Sequence, residues 1–213
     1  MKSLNKKKET LFAAGKMLPL VEEFYTIQGE GFHTGKAAYF IRIGGCDVGC
    51  SWCDTKFSWD PYLHPMVETD RIIKNALQSG ARDMVITGGE PLMFNLIYLT
   101  RQLKIRGFNI YLETSGAWPM QGTFDWICLS PKQSKKPLRN IYTQADELKV
   151  IIQTKNDLAW AEENAGKVPD KCFLFLQPEW SQYERIIGIL VEYVKRNPKW
   201  RISLQAHKFM HVP

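Results

Sequence analysis

The stretch Gly44-Gly45-Cys46-Asp47-Val48-Gly49-Cys50-Ser51-Trp52-Cys53-Asp54-Thr55 sets three cysteines in a C-x3-C-x2-C spacing directly after the apolar run Ala38 to Ile43. A short loop with three thiolates can ligate three irons of a 4Fe-4S cube through Cys46, Cys50 and Cys53, and no fourth cysteine lies near in sequence. One iron then stays open to a small molecule. Structural zinc is the alternative, but it normally takes four ligands, usually as two spaced pairs. The nearest histidines are His33, beyond a predicted strand, and His64 downstream. A disulfide framework fits less well, because the cysteines number five and no secretory signal is read at the start. Cys128 and Cys172 sit in apolar runs, Trp126 to Leu129 and Cys172 to Leu176, and are expected to be small core residues.

Outward from this loop, short runs rich in β-branched and aromatic residues alternate with amphipathic stretches, the pattern of strand and helix in turn. Strands are expected near Ala38 to Ile43, Met84 to Thr87, Asn109 to Glu113, Trp126 to Leu129, Leu148 to Ile152, Phe173 to Leu176 and Arg201 to Gln205. Helical faces occur in Leu96 to Ile105, Leu158 to Ala165 and Tyr183 to Val194. In a further helix Ile72, Ile73, Ala76 and Leu77 share one side, with a Thr or Asp as N-cap and Gly80 as the stop. The alternation predicts one α/β domain with a mostly parallel sheet, an incomplete β/α barrel. Residues 18–213 form that domain, and residues 1–17 read as a loosely ordered N-terminal extension.

The length of 213 residues suits a single core, and the apolar and charged fractions are ordinary for a soluble globular protein. No run of eighteen apolar residues occurs, so no membrane span is expected, and the compartment is read as cytoplasmic and reducing. The net charge of +6 comes partly from Lys6-Lys7-Lys8 and the stretch Lys132 to Arg139. A basic balance admits nucleic acid as a partner, but no helix-turn-helix, zinc-finger or RNA-binding signature is present, and an anionic small molecule explains it equally.

In parallel β/α barrels the active site forms on the loops after the C-terminal ends of the strands. Polar chemistry stands at each expected end: the cysteine loop, Thr87 to Pro91 (T-G-G-E-P), Glu113 to Gly116 (E-T-S-G), Ser130 to Lys132, Lys149 within its strand, Gln177 to Glu179, and Gln205 to Lys208 (Q-A-H-K). Such turns are individually ordinary; it is their joint placement with the cysteines that points to a site. A cluster with an open iron can bind the amino and carboxylate groups of S-adenosylmethionine, whose one-electron reduction yields a 5'-deoxyadenosyl radical. Gly88 and Gly89 allow close backbone approach to such a ligand. Ser130, Lys132 and Gln177 offer polar groups for its carboxylate, ribose and adenine edge.

The cysteine triplet with T-G-G-E-P resembles the radical S-adenosylmethionine superfamily. Within it, Phe24 to Gly35 (F-Y-T-I-Q-G-E-G-F-H-T-G), with W-C-D-T, E-T-S-G, S-P-K and Q-A-H-K, is similar to the 7-carboxy-7-deazaguanine synthase family, from about Leu20 onward. The resemblance implies a lyase of queuosine and 7-deazapurine biosynthesis. It would contract the ring of 6-carboxy-5,6,7,8-tetrahydropterin to 7-carboxy-7-deazaguanine with loss of ammonia. It further implies a 4Fe-4S cluster, S-adenosylmethionine, Mg2+, a flavodoxin or ferredoxin type reductant, and a homodimer.

The implied pterin contacts are Ile27, Gln28, Gly29, Glu30, Arg42, Thr87, His207 and Pro213, the last through a terminal carboxylate. Thr55 is the implied Mg2+ ligand, consistent with an ion that is often held by few protein groups. The implied S-adenosylmethionine contacts are Trp52, Cys53, Asp54, Gly89, Ser130, Pro131, Lys132, Gln177, Pro178, Glu179 and Trp180. Each has a plainer alternative. Arg42 can pair with Glu22 or Glu23, Gln28 and Glu30 can shape a turn, His207 can be structural, and Glu113 can be a buried ion-pair partner. Q-A-H-K also carries alanine where threonine is common in the family, and Gln177 to Trp180 is a variable stretch. Two rival functions share parts of the pattern: an activase that makes a glycyl radical on a partner protein, and a nonenzymatic iron-sulfur or zinc module.

Overall fold

The computed structural model describes residues 9–213. Nine strands form one sheet: β1 (Met17–Ile27), β2 (Ala37–Ile43), β3 (Met66–Glu68), β4 (Asp83–Gly88), β5 (Asn109–Thr114), β6 (Trp126–Leu129), β7 (Glu147–Ile152), β8 (Phe173–Pro178) and β9 (Trp200–Ile202). Their spatial order is β3-β1-β2-β4-β5-β6-β7-β8-β9. All pairings from β2 to β9 are parallel, while β1 runs antiparallel to both β2 and β3. From Thr69 onward the α-helices are α1 (Thr69–Gln78), α2 (Ile97–Ile105), α3 (Arg139–Tyr142), α4 (Asp157–Ala165), α5 (Tyr183–Arg196) and α6 (Ala206–Met210). The result is a mixed α/β domain whose parallel array is left open, an incomplete barrel.

Period-2 alternation divides the sheet into two faces of different chemistry. On the helix-covered face Ile41, Ile86, Ile110 and Leu112 pack with Ile72, Leu99 and Leu103 in one cluster. Leu129, Leu148, Val150 and Leu176 pack with Ile141, Ala161, Ile186 and Leu190 in a second. The other face holds a small apolar group, Ala38, Val85 and Tyr111 with Phe40 and Trp126 against it. It also carries Glu113, Glu147, Lys149 and Gln177, one face of the strands being available for a polar interior.

Each strand expected from the sequence is present within a few residues, except that β9 is short and the chain beyond Ile202 leaves the sheet. Strands β1 and β3 were not expected. They lie at the margin of the sheet: β3 has three residues, and in β1 the consecutive Leu18, Pro19 and Leu20 are all buried, so alternation is broken, with a register shift between Leu20 and Glu22. The α1 cap also differs from expectation: the N-cap position is Glu68, and the Thr69 hydroxyl instead donates to the Gly15 carbonyl at 2.8 Å. Leu77 is 48% exposed and stands outside the buried face of Ile72, Ile73 and Ala76. Gly80, with φ +74°, follows that helix in the left-handed conformation that terminates helices.

The first eight residues of the expected N-terminal extension lie outside the described residues. Residues 9–13 are helical, and the segment is held against the domain. The Phe12 ring meets Phe94 edge-on at 5.9 Å, and Asn95 Nδ2 donates to the Ala13 carbonyl at 3.0 Å. The end of that extension is therefore part of the packed structure.

Replacing the fully buried Ile86 by alanine deletes three carbons from the contact between sheet and helices. Ile86→Ala is expected to lower unfolding free energy by about 2–5 kcal/mol. Leu77→Ala, at an exposed position, should stay within about 0.5 kcal/mol; urea denaturation of both variants checks the contrast.

Candidate active site

The C-terminal ends of the parallel strands open onto one cavity of about 280 Å³. Cys46, Cys50 and Cys53 line it, each partly exposed, and all three are free thiols. Their loop is fixed by backbone bonds to the segment that follows, Gly45 N to Ser58 O at 2.7 Å and Cys46 N to Trp59 O at 2.9 Å. On the other side lies the turn after β4. A Cβ on Gly89 would stand 2.4 Å from the Gly45 carbonyl oxygen and 2.7 Å from Cys46 Cβ, so only glycine permits this approach.

Glu90, in the same turn, is buried and ties two strand ends together. Its Oε1 accepts from Leu92 N at 3.1 Å and from the Thr114 hydroxyl at 2.6 Å, while Oε2 accepts from Ser115 N at 2.8 Å and from the Ser115 hydroxyl. T-G-G-E-P and E-T-S-G thus form one hydrogen-bonded unit under the cavity.

The donor set fits a 4Fe-4S cluster. Cys128 and Cys172 are buried elsewhere, which leaves three thiols on one loop facing a shared space. Among the described residues no three His, Cys, Asp or Glu side chains converge on a single ion position. Three thiols on one loop suit a cube, in which each cysteine takes a different iron, better than one tetrahedral zinc, which normally takes four ligands. Burial pushes the Cys46 and Cys50 thiols up from their ordinary value, and the Lys132 charge pulls Cys50 back toward the thiolate. The Lys132 ammonium donates to the Ser130 carbonyl at 2.7 Å and hydroxyl at 2.6 Å, and lies 5.5 Å from the centre of the Trp52 ring. Burial lowers its pKa, opposed by Cys50.

The opposite wall is built by the turn between β1 and β2. Here Glu30 Oε2 meets Lys149 Nζ at 2.5 Å, and Glu113 Oε2 meets the same nitrogen at 2.9 Å. Gln205 Nε2 donates to Glu30 Oε1 at 2.9 Å, and Gln28 Nε2 donates to Glu113 Oε1 at 3.4 Å. Burial works against the Glu30 charge, yet Lys149 and Gln205 bring its pKa down to about 2. A Cβ on Gly29 would lie 2.2 Å from His207 Nδ1, so the imidazole can sit against the turn only because that residue is glycine. Burial lowers the His207 pKa, with Glu30 opposing.

Arg42 both forms the expected ion pair, Nε to Glu22 Oε1 at 2.6 Å, and lines the cavity. Its terminal nitrogens have no hydrogen-bond partner among the described residues. Such a fork suits a carboxylate. Thr87, Ile27 and Pro213 line the same cavity, as do Asp54, Thr55, Gln177, Pro178, Glu179 and Trp180. Of the implied pterin, S-adenosylmethionine, cluster and Mg2+ contacts, Pro131 alone does not; it is buried beside Ser130.

Sequence reasoning left Lys149, Glu113 and Gln205 out of the ligand set, and did not reach Phe24 and Phe40, whose rings stack at 5.4 Å in the cavity wall. A signal for Lys149 exists. In Glu147-Leu148-Lys149-Val150 the apolar residues alternate with ionisable ones, so a buried strand must turn its charges to the interior.

A partly closed parallel array with a three-thiol loop at its rim defines a radical S-adenosylmethionine protein, and the sequence model of the Radical SAM superfamily matches residues 40–129. A 7-carboxy-7-deazaguanine synthase of Flavobacterium psychrophilum is 54% identical, over 99% of this chain and all of that protein. One from Synechocystis is 45% identical, covering 91% of this chain and 93% of its own. The crystal structure of QueE from Escherichia coli superposes with a TM-score of 0.81 at 30% identity, covering 94% of this chain and 99% of that one. The chain belongs to the 7-carboxy-7-deazaguanine synthase family. Membership of the radical SAM class implies a 4Fe-4S cluster and S-adenosylmethionine. Among the described residues no helix is long and apolar enough to cross a membrane.

At the base of the interior Glu147 is buried. Its Oε2 accepts from Phe32 N at 3.2 Å and Trp126 Nε1 at 3.1 Å, while Oε1 has no partner among the described residues. Burial raises its pKa to about 7. The folded state therefore holds a proton that the unfolded chain releases near 4.5, so stability from this group falls as pH rises from about 4.5 to about 7. Glu147→Gln should flatten the stability profile across that window, measured by urea denaturation at pH 5 and pH 7.5.

Proposed function

We propose that the chain converts 6-carboxy-5,6,7,8-tetrahydropterin to 7-carboxy-7-deazaguanine, releasing ammonia. The observation that carries this reading is that the cysteine loop and a set of pterin-matching groups, Gln28, Glu30, Arg42 and His207, line the same cavity. When bound, the cluster and S-adenosylmethionine supply a 5'-deoxyadenosyl radical able to abstract a substrate hydrogen. Ser130, Lys132 and Gln177, with the backbone at Gly89, would hold the cofactor beside the cysteines. Glu30 and Glu113 present carboxylate oxygens to the amino and N–H edge of a pterin, and the free fork of Arg42 takes its carboxylate. The cavity walls hold the reacting carbon away from bulk water and position it against the cofactor.

Thr55 is the Mg2+ ligand in this reading. Its hydroxyl lies 3.5 Å from Cys53 Sγ, at the border between the cysteine loop and the substrate space, where one protein oxygen can be completed by substrate and water. The same reading includes a flavodoxin or ferredoxin type donor, a homodimer and a cytoplasmic location, all of which suit a bacterial biosynthetic enzyme.

Anaerobically reconstituted protein, given S-adenosylmethionine, reductant, Mg2+ and carboxytetrahydropterin, should form 7-carboxy-7-deazaguanine and ammonia in equal amounts. Cleavage of the cofactor without carboxydeazaguanine would sink the substrate assignment and leave the radical class standing. For the metal, Thr55→Ala should raise the Mg2+ concentration giving half-maximal rate by about tenfold or more, with iron and sulfide content unchanged. Loss of the cluster in that variant would assign Thr55 a structural role instead.

A further inference from the structure

Lys149 is the buried charge that neither the cofactor nor the metal accounts for. Its side chain is 5% exposed, lies in the middle of β7 and lines the cavity. Glu30 arrives from the β1–β2 turn and Glu113 from the end of β5, and both meet the one ammonium. Lysine has three N–H donors. Two are used here, and no described residue takes the third.

We propose that Lys149 is a positioning residue of the substrate site, whose ammonium supplies the counter-charge that keeps Glu30 an ionised acceptor in the cavity and holds Glu113 beside it. This rests on the pterin reading for what the carboxylates recognise, but the action of Lys149 on Glu30 is independent of it. The physical need is plain. A carboxylate withdrawn from water loses solvation, and only a close, well-placed partner offsets that loss. Glu30 keeps 19% of its side-chain surface, and it lines a cavity rather than the outer surface. Gln205 contributes one hydrogen bond, but an amide carries no charge.

The other charged or titratable groups facing the pair do not replace Lys149. Glu113 on β5, Cys128 on β6 and Glu147 on β7 add negative charge or none. His207 and Lys208 on α6 and Asp54 on the cysteine loop surround the far side, where Asp54 already pairs with Lys208 at 3.2 Å. Lys132 beyond β6 donates to Ser130 instead. The low pKa of Glu30, about 2, is consistent with this division of labour.

The test is a 13C titration of the Glu30 carboxyl, assigned by its loss in Glu30→Gln, together with fluorescence binding of 6-carboxypterin between pH 5.5 and 8.5. In the native protein the Glu30 signal should stay ionised down to pH 4, and binding should show no protonation step from it. In Lys149→Met the midpoint should move above the ordinary carboxylate range. Binding should then weaken about tenfold for each pH unit below that midpoint and recover as pH rises. Lys149→Arg should keep the native profile, and Lys149→Met/Glu30→Gln should lose the pH dependence.

A Glu30 carboxyl that titrates in the ordinary range in the native protein, or that titrates unchanged in Lys149→Met, would overturn the proposal. The native titration decides it even where Lys149→Met does not fold. Failure of the native protein to bind 6-carboxypterin would instead count against the substrate reading, because the carboxyl titration judges Lys149 without any ligand.

Discussion

An open parallel array has one side with no strand to complete it, and the structure depends on how that side is bridged. The turn between β1 and β2 does so, running from one edge of the array to the other. Gly29 O accepts from Ala206 N at 2.8 Å, and Gly31 N donates to the Ser203 hydroxyl at 2.8 Å, beyond the end of β9. Phe32 stacks on Trp126 at 4.6 Å, and Glu30 reaches Lys149 in β7. The buried ion pair is costly to form in isolation. It is sustained because both partners belong to elements already fixed by other contacts, so little ordering remains to oppose it.

This bridge explains why fold and site cannot be separated in this chain. The residues that close the gap, Gln28 to Glu30 with Gln205 and His207, are also cavity walls. On the opposite wall the Glu90 carboxylate performs the corresponding task, joining the turn after β4 to the end of β5 while the cysteine loop rests on Gly89. A cofactor and a substrate can then meet between two rigid walls, as positioning of a reactive radical requires.

Much of this was legible in advance. The inner strands are buried on both faces and so are dense in Val, Ile and Leu, which made β2 and β4 through β8 readable from local composition. The strand-end rule then placed Thr87, Ser130 and Gln177 on one rim, where they stand. The margins were not readable. Strand β1 is antiparallel and half-exposed with a register shift, and β3 is only three residues long, so neither has a pattern to detect. The Thr69 hydroxyl left its capping role because Gly15, distant in sequence, offered a carbonyl.

By itself the sequence determined the chemistry on offer: three clustered thiols, a glycine-rich turn, a basic and apolar balance, and the alternation of helices with the parallel strands. These are local properties, set by spacing and period along the chain. Only the tertiary structure decided that Lys149 stands between Glu30 and Glu113, that Arg42 pairs with Glu22 while keeping its fork free, and that Pro131 is left out of the cavity. Those outcomes join residues as far as 119 positions apart. They depend on which face of which strand meets which turn, and no local pattern encodes that meeting.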